Sequence, residues 1–434
     1  MRKRAAFHSL GCKVNAYETE KMQQMLEKDG YRIVPFEEEA DVYVINTCTV
    51  TNIADRKSRQ MLHRARKMNP GAVVVAVGCY VQVHGDSLAA DDAVDLVIAS
   101  SEKELLPEKL RTFLEAAKEQ NPAVEQEADI PDEITENSFS GGHTRAFLKV
   151  QDGCTQFCTY CIIPYARGRI RSRGIQDVIN EAEQLSAAGV KEVVITGIHL
   201  CSYGRDLGEN ETLEKLIEAV HGVDGISRIR LGSLEPGSVT EGFIRTLARL
   251  PKICPHFHLS LQSGCDRTLQ RMNRHYTAAE YEEACGRLRH YFSDPAITTD
   301  IIAGFPGETE EDFEECCRFV EKISFYETHI FPYSRREGTK AAGFPGQLTE
   351  KEKRIRTGIL RDLNSRKREE YLRKWTGRQV EVLFEEQMVL EGDCWWSGYG
   401  KEYQRVLMKS DEDLANVIRT VRPVECMYGE YLRA

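Results

Sequence analysis

The stretch Asp152-Gly-Cys-Thr-Gln-Phe-Cys-Thr-Tyr-Cys161 decides how this sequence is interpreted. It places three cysteines on one short segment, and we refer to Cys154, Cys158 and Cys161 as the loop cysteines. Three thiolates at this spacing can hold three irons of a four-iron cluster and leave the fourth iron without a protein ligand, whereas clusters that only carry electrons usually have four cysteines. An iron with an open position can bind a further molecule, as an open zinc position does. The spacing therefore predicts a catalytic [4Fe-4S] cluster.

A zinc site is the alternative for the same three thiols. A structural zinc ion normally takes four Cys or His ligands that lie close together. The 30 residues after Cys161 contain neither a cysteine nor a histidine. This absence of a fourth ligand favours the cluster.

The composition is that of a globular protein. The chain has 434 residues, enough for two or three domains, and 41% of them are hydrophobic. No apolar run approaches the roughly 20 residues of a membrane span, and the basic start lacks the apolar stretch of a signal peptide. We therefore expect a cytoplasmic protein without a membrane anchor. Thiols stay reduced in that compartment, so regularly spaced cysteines indicate metal or cluster ligands rather than disulfides.

The first part of the chain alternates between strand and helix patterns. Helices are predicted at 17–29, 53–67 and 102–118, and short buried strands at 5–9, 42–46, 72–77 and 96–99. Strands that alternate with helices over short loops form a parallel sheet covered by helices. We expect an α/β domain of flavodoxin-like type over residues 1–114.

Three further cysteines each come just after one of these strands, and we refer to Cys12, Cys48 and Cys79 as the strand-end cysteines. In an open parallel sheet the carboxyl ends of the strands lie along one edge, where ligands bind. Cysteine is also a common core residue, but three of them in three successive strand–helix units indicate a shared site. The sequence predicts that they converge on a second [4Fe-4S] cluster.

The net charge of −10 is unevenly distributed along the chain. Residues 115–140 hold 8 Asp/Glu and one Lys, which is typical of a solvated acidic linker, here placed at 115–142. Residues 335–378 hold 14 Lys/Arg and 6 Asp/Glu, and we interpret 336–374 as a basic helical connector. Because local fields steer a polyanion, the acidic total does not exclude a nucleic-acid partner.

The region 143–335 shows a second alternation of strands and helices. Helical patterns such as 176–188, 239–250 and 310–323 separate six strand candidates at 146–151, 192–196, 228–232, 256–261, 297–303 and 328–333. Six such units predict a partial (β/α)6 barrel, a shortened form of the eight-unit barrel that places its chemistry at the carboxyl ends of the strands. The loop cysteines follow the first strand, in agreement with this rule.

Other positions on the predicted barrel strands carry candidate ligand contacts: Gly197, Glu235 and Gln262 at strand ends, and Asp300 within the fifth strand. Gln262 and Asp300 stand among apolar neighbours, where a buried polar group needs a hydrogen-bond partner. A bound ligand can supply that partner. Each residue taken alone is equally well explained as a satisfied core group or an ordinary loop residue.

Residues 375–434 predict a small all-β barrel module. Strand patterns occupy 379–385, 405–409 and 416–424, and all three tryptophans of the chain lie in this region. Small β-barrels with exposed aromatic rings and nearby cations often bind RNA, because bases stack on the rings. The same rings can instead form the core of the module.

The loop cysteines resemble the motif of the radical S-adenosylmethionine (SAM) enzymes, in which SAM chelates the open iron. With strand-end cysteines before this motif and a small β-module after it, the chain resembles the methylthiotransferases of that superfamily along nearly its whole length. The opening Leu10-Gly-Cys-Lys-Val-Asn-Ala-Tyr-Glu-Thr-Glu20 is most similar to the branch that modifies N6-threonylcarbamoyladenosine at position 37 of tRNA, beside the anticodon.

The resemblance implies a radical SAM methylthiotransferase with SAM and two [4Fe-4S] clusters as cofactors. The cluster on the loop cysteines would generate an adenosyl radical, and the cluster on the strand-end cysteines would carry the sulfur that is donated to carbon 2 of the adenine. Tyr160 would rest against the adenine of SAM. The other SAM contacts would be Gly197, Glu235, Gln262 and Asp300.

The resemblance also implies partners. These are tRNA, an electron donor of the flavodoxin or ferredoxin type, and possibly an external sulfur donor. The carboxyl-terminal module would be a TRAM-like RNA-binding domain.

Four arginines follow the cysteine motif at alternate positions: Arg167, Arg169, Arg171 and Arg173. In an extended segment, side chains two residues apart point the same way. We predict that these guanidinium groups form one row that binds tRNA phosphates or the SAM carboxylate. A solvated charged edge is the other interpretation.

Other functions remain open at this point. The same chemistry can act on isopentenyladenosine in tRNA or on an aspartate of a ribosomal protein, the targets of sister branches. A non-enzymatic iron–sulfur protein is disfavoured by the three ligands in each group. A zinc-containing RNA-binding protein would hold zinc and no iron.

Overall fold

The computed structural model describes residues 3–120 and 144–434. The amino-terminal domain is a parallel sheet with helices on both faces. Its strands are β1 (Arg4–Ser9), β2 (Arg32–Val34), β3 (Val42–Thr47), β4 (Val73–Gly78) and β5 (Leu96–Ile98). Its helices are α1 (Lys13–Lys28), α2 (Asn52–Met68), α3 (Cys79–Ala89) and α4 (Leu106–Gln120). The strand order β2-β1-β3-β4-β5 is that of flavodoxin-like folds, so the predicted class of this domain is confirmed.

The sheet is buried on both faces because its strands are short runs of apolar residues. Every residue of β3 is buried, as is typical of a central strand in a helix-covered parallel sheet. Tyr43 and Ile45 pack on one face with residues of α2 and α3, and Val42 and Val44 pack on the other with residues of α1 and α4. The strand-end cysteines therefore emerge at the carboxyl edge of the sheet.

The central domain is a curved sheet of parallel strands with helices outside it. Its strands are β6 (Arg145–Asp152), β7 (Arg171–Ser172), β8 (Glu192–Gly197), β9 (Arg228–Leu231), β10 (His256–His258), β11 (Ala296–Ala303) and β12 (Glu327–Pro332). Its helices are α5 (Ile163–Arg167), α6 (Ile175–Ala187), α7 (Leu213–His221), α8 (Glu241–Ala248), α9 (Asp266–Arg271), α10 (Ala278–Tyr291) and α11 (Glu310–Ile323).

The order of these strands confirms the predicted partial barrel. β6, β8 and β9 pair in one group and β10, β11 and β12 in another, while β7 is a short antiparallel addition to β6. The two groups are joined where the Leu234 N–H donates to the backbone oxygen of His258 at 2.8 Å. The six parallel strands thus form one continuous curved wall.

Buried arginines attach the amino ends of the barrel strands to the carboxyl-terminal domain. Arg228 and Arg230 on β9 are almost completely buried, and Arg230 pairs with Glu192 on β8 at 2.9 Å. Arg228 donates to the backbone oxygens of Glu381 and Tyr399 at 2.7 and 2.8 Å.

At the other end of the barrel, α1 contacts β6, and α3 contacts α5. The carboxyl ends of the barrel strands therefore face the amino-terminal domain.

A long helix, α12 (Glu350–Arg373), connects the barrel to the carboxyl-terminal sheet and begins at a Thr349 capping box. The strands of that sheet are β13 (Val380–Leu390), β14 (Asp393–Gly400), β15 (Arg405–Met408), β16 (Ile418–Val421), β17 (Glu425–Met427) and β18 (Tyr431–Arg433). They follow the order β16-β13-β14-β15-β18-β17 and are antiparallel except for the β15–β18 pair. The predicted all-β module is confirmed.

The tryptophans belong to the interior of this module. Trp375, Trp395 and Trp396 are each exposed by no more than 7%, whereas Tyr428 is exposed by 58%. The three indole rings are therefore not available for stacking with bases. The interpretation of these rings as core residues is the correct one.

Most of the predicted acidic linker, residues 121–142, lies outside the described residues, and α4 continues as far as Gln120. The predicted domain boundaries stay predictions. Among the residues that the structure describes, no helix is both long enough and apolar enough to cross a bilayer.

Candidate active site

The loop cysteines lie between β6 and α5 on a loop whose backbone is fixed. Gly153 has φ +72°, and a Cβ at this position would lie 1.9 Å from the backbone oxygen of Arg169, so only glycine fits the entry to the loop. Near the end of the loop, the Thr159 N–H donates to the backbone oxygen of Met272 at 3.0 Å. The three thiols are therefore held in place by the backbone before anything binds them.

Cys154 and Cys161 hold their thiol protons more firmly than a free cysteine does. Burial raises the pKa of Cys161 to about 12, and the nearby charges of Cys158 and Cys154 contribute to the rise. Burial also raises the pKa of Cys154. Metal binding releases protons from such thiols, and a cluster with positively charged irons compensates three thiolates. The donor set fits an iron–sulfur cluster.

The strand-end cysteines converge at the carboxyl edge of the amino-terminal sheet. Burial, together with smaller contributions from neighbouring Cys79 and Cys12, raises the pKa of Cys48 to about 11, which indicates that the three sulfurs are near one another. A Cβ on Gly11, which has φ +102°, would lie 2.7 Å from the Cys48 sulfur. Glycine is thus needed beside Cys12 for the turns to approach. Cys48 and Cys79 are buried and Cys12 is exposed.

Neither group of cysteines is arranged for a single zinc ion. Thiolates that bind one zinc at 2.3 Å stand about 3.8 Å apart. Among the described residues, the one group whose candidate ligand atoms lie within 4.8 Å of one another is His258, Asp300 and His329. In the part of the chain that the structure describes, neither set of three sulfurs is as closely spaced as a single zinc ion requires.

Arg167 connects Cys79, one of the strand-end cysteines, to Asp152 at the start of the cysteine loop. It ends α5, its side chain is 1% exposed, and its Nε donates to the Cys79 sulfur at 3.1 Å. Its Nη1 donates to Glu18 at 2.9 Å and to Asp152 at 3.1 Å, and its Nη2 donates to Asn15 at 2.6 Å. The prediction that Arg167 binds RNA is wrong, because this guanidinium is enclosed between the two domains.

The Glu18 carboxylate contacts several positively charged side chains at the same interface. Burial raises its pKa, but Lys103, Arg167 and Lys149 together hold it well below the ordinary value of 4.5. Lys149 lies 2.6 Å from one carboxylate oxygen, and Lys103 contacts the other. The carboxylate is therefore ionised, and it binds cations from both domains.

The four arginines do not form a single row. Arg167 is the last residue of helix α5, and Arg173 forms an ion pair with Glu181 at 2.6 Å. Residues 167–173 are therefore not one extended segment with the four side chains on the same face. Arg169 and Arg171 are exposed on the turn and short strand that follow. Only these two remain candidates for contact with RNA.

Glu235 lies beside the loop cysteines at the end of β9. It accepts hydrogen bonds from Arg274 at 2.7 Å and lies 3.1 Å from His199 Nε2. Burial raises the pKa of Glu235, but the neighbouring His199 imidazole and Arg274 guanidinium lower this pKa overall, to about 2. Arg274 also donates to the Cys158 sulfur at 3.2 Å. Glu235 is thus an ionised carboxylate next to the cluster loop.

Gln262 and Gly197 lie at strand ends on the same edge. Gln262 has φ +72°. Two backbone hydrogen bonds hold it against β11: its N–H donates to the backbone oxygen of Asp300 at 2.8 Å, and its backbone oxygen accepts from the Ile302 N–H at 2.9 Å. A left-handed non-glycine residue is strained, and such residues cluster at ligand sites. A Cβ on Gly197 would lie 2.8 Å from the Gln151 amide oxygen, so this turn also needs glycine.

Asp300 and Tyr160 complete the predicted set. Burial raises the pKa of Asp300, but a hydrogen bond from His258 at 3.2 Å lowers it overall. Tyr160 packs against a small apolar cluster that includes Phe305 and Tyr333. Of the five predicted SAM contacts, Tyr160 thus lies on the cysteine loop, Glu235 is joined to it through Arg274, and the other three lie on or just after barrel strands.

Sequence reasoning missed Arg274, Glu18 and Asn15. Asn15 and Glu18 are three residues apart on α1, directly after Cys12, and this spacing on one helix face is a signal that could have identified them. Arg274 follows α9 rather than a strand, so the rule of strand ends does not select it.

Two sequence families match the chain. The Uncharacterized protein family UPF0004 matches residues 4–99, and the Radical SAM superfamily matches residues 148–320. The chain is 39% identical to the threonylcarbamoyladenosine tRNA methylthiotransferase MtaB of Bacillus subtilis (strain 168), over 99% of this chain and 96% of that protein. It is 42% identical to the protein of the same name in Aquifex aeolicus (strain VF5), over 88% and 92%.

Other relatives have a different substrate in their name. A tRNA-2-methylthio-N(6)-dimethylallyladenosine synthase of Moorella thermoacetica (strain ATCC 39073 / JCM 9320) is 35% identical, over 95% of this chain and 94% of that protein.

Among solved structures, the radical S-adenosylmethionine methyltransferase TsrM of Kitasatospora setae superposes with a TM-score of 0.55 and 16% identity, over 76% of this chain and 73% of that chain. At this identity the likeness shows the fold alone.

Proposed function

The chain belongs to the family of radical SAM tRNA methylthiotransferases, and from this premise we propose that it converts N6-threonylcarbamoyladenosine at position 37 of tRNA to its 2-methylthio derivative. One observation supports the proposal: the buried Arg167 donates both to Cys79 of the strand-end cysteines and to Asp152, two residues before the first loop cysteine. Replacing an aromatic C–H by C–S–CH3 needs both a radical source and a sulfur source, and the fold brings two sites together.

The loop cysteines would hold one [4Fe-4S] cluster and the strand-end cysteines a second. When bound, the first cluster and SAM supply a 5′-deoxyadenosyl radical, and the second cluster supplies the sulfur. The protein contributes position and charge. Arg274 fixes Cys158 relative to Glu235, and Arg167 fixes Cys79 relative to Asp152, which lies two residues before Cys154.

The partners follow from this chemistry. We infer that tRNA is the substrate, that a flavodoxin- or ferredoxin-type protein in the cytoplasm reduces the clusters, and that an external donor renews the sulfur. The exposed Arg169 and Arg171 and the TRAM-like module would contact tRNA. The names of the relatives at 39% and 42% identity favour the threonylcarbamoyl substrate over the isopentenyl one.

The direct test is mass analysis of tRNA nucleosides. We expect purified and reconstituted protein to form 2-methylthio-N6-threonylcarbamoyladenosine on tRNA that carries the threonylcarbamoyl group. Product on isopentenyladenosine alone, or a methylthiolated ribosomal protein with unmodified tRNA, would replace the proposed substrate. Zinc without iron in anaerobically prepared protein would instead favour a non-enzymatic RNA-binding protein.

The Glu235→Gln variant should bind SAM about 10- to 100-fold more weakly. A carboxylate that accepts a charge-assisted hydrogen bond from the SAM amino group contributes about 1.5–3 kcal/mol, and the amide loses that charge. The measurement is equilibrium binding of SAM to reconstituted protein. Glu218→Gln, on the outer helix α7, is the matched control, and equal affinity of both variants would remove Glu235 from the SAM site.

The Arg169→Ala/Arg171→Ala variant should bind tRNA more weakly, with a flatter salt dependence. Two lost phosphate contacts reduce the slope of log K against log salt by about 1.5–2. Binding is measured over a salt series. Arg318→Ala, exposed on the outer helix α11, is the control. An unchanged slope would show that the two arginines lie outside the interface.

A further inference from the structure

The turn that carries Cys48 forms one unit with the start of α2. The Ser58 hydroxyl accepts a hydrogen bond from the Cys48 N–H at 3.2 Å and donates to the Cys48 backbone oxygen at 3.1 Å. The next residue, Thr49, donates its hydroxyl to Asp55 at 2.8 Å. Ser58 and Asp55 both belong to α2, so the position of the Cys48 turn follows the position of this helix.

Arg336, four residues after β12, contacts this unit through both terminal nitrogens of its guanidinium group. Nη1 donates to Asp55 at 2.5 Å and to the Asn52 amide oxygen at 2.6 Å, and Nη2 donates to the Thr49 hydroxyl at 2.7 Å. The Arg336 side chain is 4% exposed, so water hardly screens these contacts. Hydrogen bonds from a charged donor are roughly twice as strong as neutral ones. Three of them therefore attach the Cys48 turn to the barrel domain.

The segment that carries Arg336 is also bonded to the cysteine loop. The Arg336 backbone oxygen accepts from the N–H and the hydroxyl of Thr339 at 3.2 and 2.7 Å, which closes a turn. The Ala341 N–H then donates to the backbone oxygen of Thr159 at 2.9 Å. Thr159 stands directly after one of the loop cysteines. A short path of hydrogen bonds therefore runs from the cysteine loop through Arg336 to the turn of Cys48.

Arg167 makes a second connection between the same two domains through different elements. It ends α5, which follows the cysteine loop, and it donates to the sulfur of Cys79. The two arginines thus reach two different strand-end cysteines from two different segments of the barrel domain. One attachment leaves a rigid body free to pivot, whereas two separate attachments fix its distance and its orientation.

We propose that Arg336 is a positioning residue for sulfur transfer, which holds the Cys48 side of the strand-end site at a fixed distance from the cysteine loop. This inference rests on the proposed function and assigns a residue that couples its two sites. The radical source and the sulfur source must act on one adenine, so their separation determines whether the two half-reactions are coupled. A misplacement of about 1 Å can lower a rate by about 100-fold. Without Arg336, SAM cleavage should therefore run without sulfur transfer.

The first test needs neither cluster nor substrate. Hydrogen–deuterium exchange is measured by mass spectrometry on the metal-free full-length chain, for wild type and Arg336→Met. The Cys48 and Asn52 N–H groups donate to side chains in this region. We expect peptides that cover residues 47–55 to exchange about 10-fold faster in the variant, because the bonds of a charged group that close the turn are lost. Peptides from β1 and β4 should keep the wild-type rate.

Two results of this exchange measurement would overturn the inference. Exchange at 47–55 that stays at the wild-type rate would show that Arg336 does not hold the turn. Equal acceleration in β1, β4 and 47–55 would show that the variant has lost stability throughout the amino-terminal sheet, and that Arg336 has no local role at the Cys48 turn.

The second test is the ratio of 5′-deoxyadenosine to methylthiolated nucleoside that reconstituted protein forms on threonylcarbamoyl tRNA. A ratio does not depend on how much of the protein is folded and loaded with clusters. We expect Arg336→Met to raise it by about 100-fold. Arg336→Lys keeps a cation for Asp55 but lacks the second nitrogen for Thr49, so it should raise the ratio by a smaller factor of about 10. Arg335→Met is the matched control.

The control removes the same chemical group one position earlier. Arg335 is exposed, and its side chain donates to the backbone oxygen of Ala342 at 2.9 Å rather than to the amino-terminal domain. Arg335→Met should keep the wild-type ratio and the wild-type exchange rate at 47–55. Iron content is measured for every variant.

The outcomes are distinct. Wild-type protein that methylthiolates the tRNA, with an Arg336→Met ratio equal to that of the wild type, would overturn this inference alone. Wild-type protein that cleaves SAM and methylthiolates no tRNA would overturn the proposed function and the inference with it. If Arg336→Met fails to fold or loses iron, Arg336→Lys decides. Loss of iron from both variants would mean that Arg336 assembles the site instead of positioning it, which would contradict the inference.

Discussion

Replacement of all three loop cysteines by alanine should abolish SAM cleavage and methylthio transfer together, whereas replacement of the strand-end cysteines should abolish transfer and leave SAM cleavage. In the proposed function, the loop cysteines would hold the iron to which SAM binds, so no radical should form without them. The strand-end cysteines would hold the sulfur source, so without them a radical should still form but have no sulfur to combine with. Each lost activity should fall by more than about 1,000-fold, the range seen when a group that acts as a unit is removed.

Two products report these activities separately. SAM cleavage is followed as 5′-deoxyadenosine and transfer as the methylthiolated nucleoside. Cys394→Ala, at an exposed cysteine of the carboxyl-terminal sheet, is the control and should retain both. If the strand-end variant still transferred a methylthio group, those cysteines would be ordinary thiols and the sulfur would have another source.

Arg167→Met should lower the free energy of unfolding by about 3–5 kcal/mol, the cost of removing one partner from a buried ion pair. The side chain is 1% exposed and contacts Glu18 and Asp152, which keep their charge when the guanidinium is lost. Transfer should fall more than SAM cleavage, because Arg167 fixes Cys79 against the cysteine loop. Urea denaturation and the two product assays measure these effects.

On acidification, the Arg167→Met variant should unfold at a higher pH than the wild type. The pKa of Glu18 lies well below 4.5 in the folded protein, so the Glu18 charge stabilises the fold above pH 4.5, and this stabilisation is lost as the pH falls toward the folded-state pKa. Without Arg167 the pKa of Glu18 in the folded protein rises, and the stabilisation is therefore lost at a higher pH. Arg171→Met, exposed on the same segment, should change the unfolding free energy by less than about 0.5 kcal/mol. Equal effects of the two variants would contradict the role of Arg167.

The order of the domains could be predicted because it depends on local patterns. Apolar runs followed by helical periodicity predict a parallel sheet. The strand-end rule then places the strand-end cysteines at the edge of the first sheet and Gln262 at the edge of the barrel. The sequence patterns did not predict strand β14, because it contains Gly398 and Gly400 and glycine has a low strand propensity. Its pairing with β13 determines its position in the sheet.

The four arginines at 167–173 show why prediction from local sequence patterns also fails. Alternate arginines predict a row only if the backbone is extended, but Pro164 stands at the start of α5, where proline favours a helix. The partners of Arg167 are Asn15 and Glu18 on α1, about 150 positions earlier in the chain, and no local pattern connects them. Contacts between domains therefore decided which arginines remain exposed.

The most direct measurement is the iron content of anaerobically reconstituted protein. Two three-cysteine clusters predict about eight irons per chain in the wild type, and about four in a variant that lacks either the loop cysteines or the strand-end cysteines. Four irons in the wild type, all lost with the loop cysteines, would contradict the account, because the strand-end cysteines would then hold no cluster and the protein would have no second site for the sulfur.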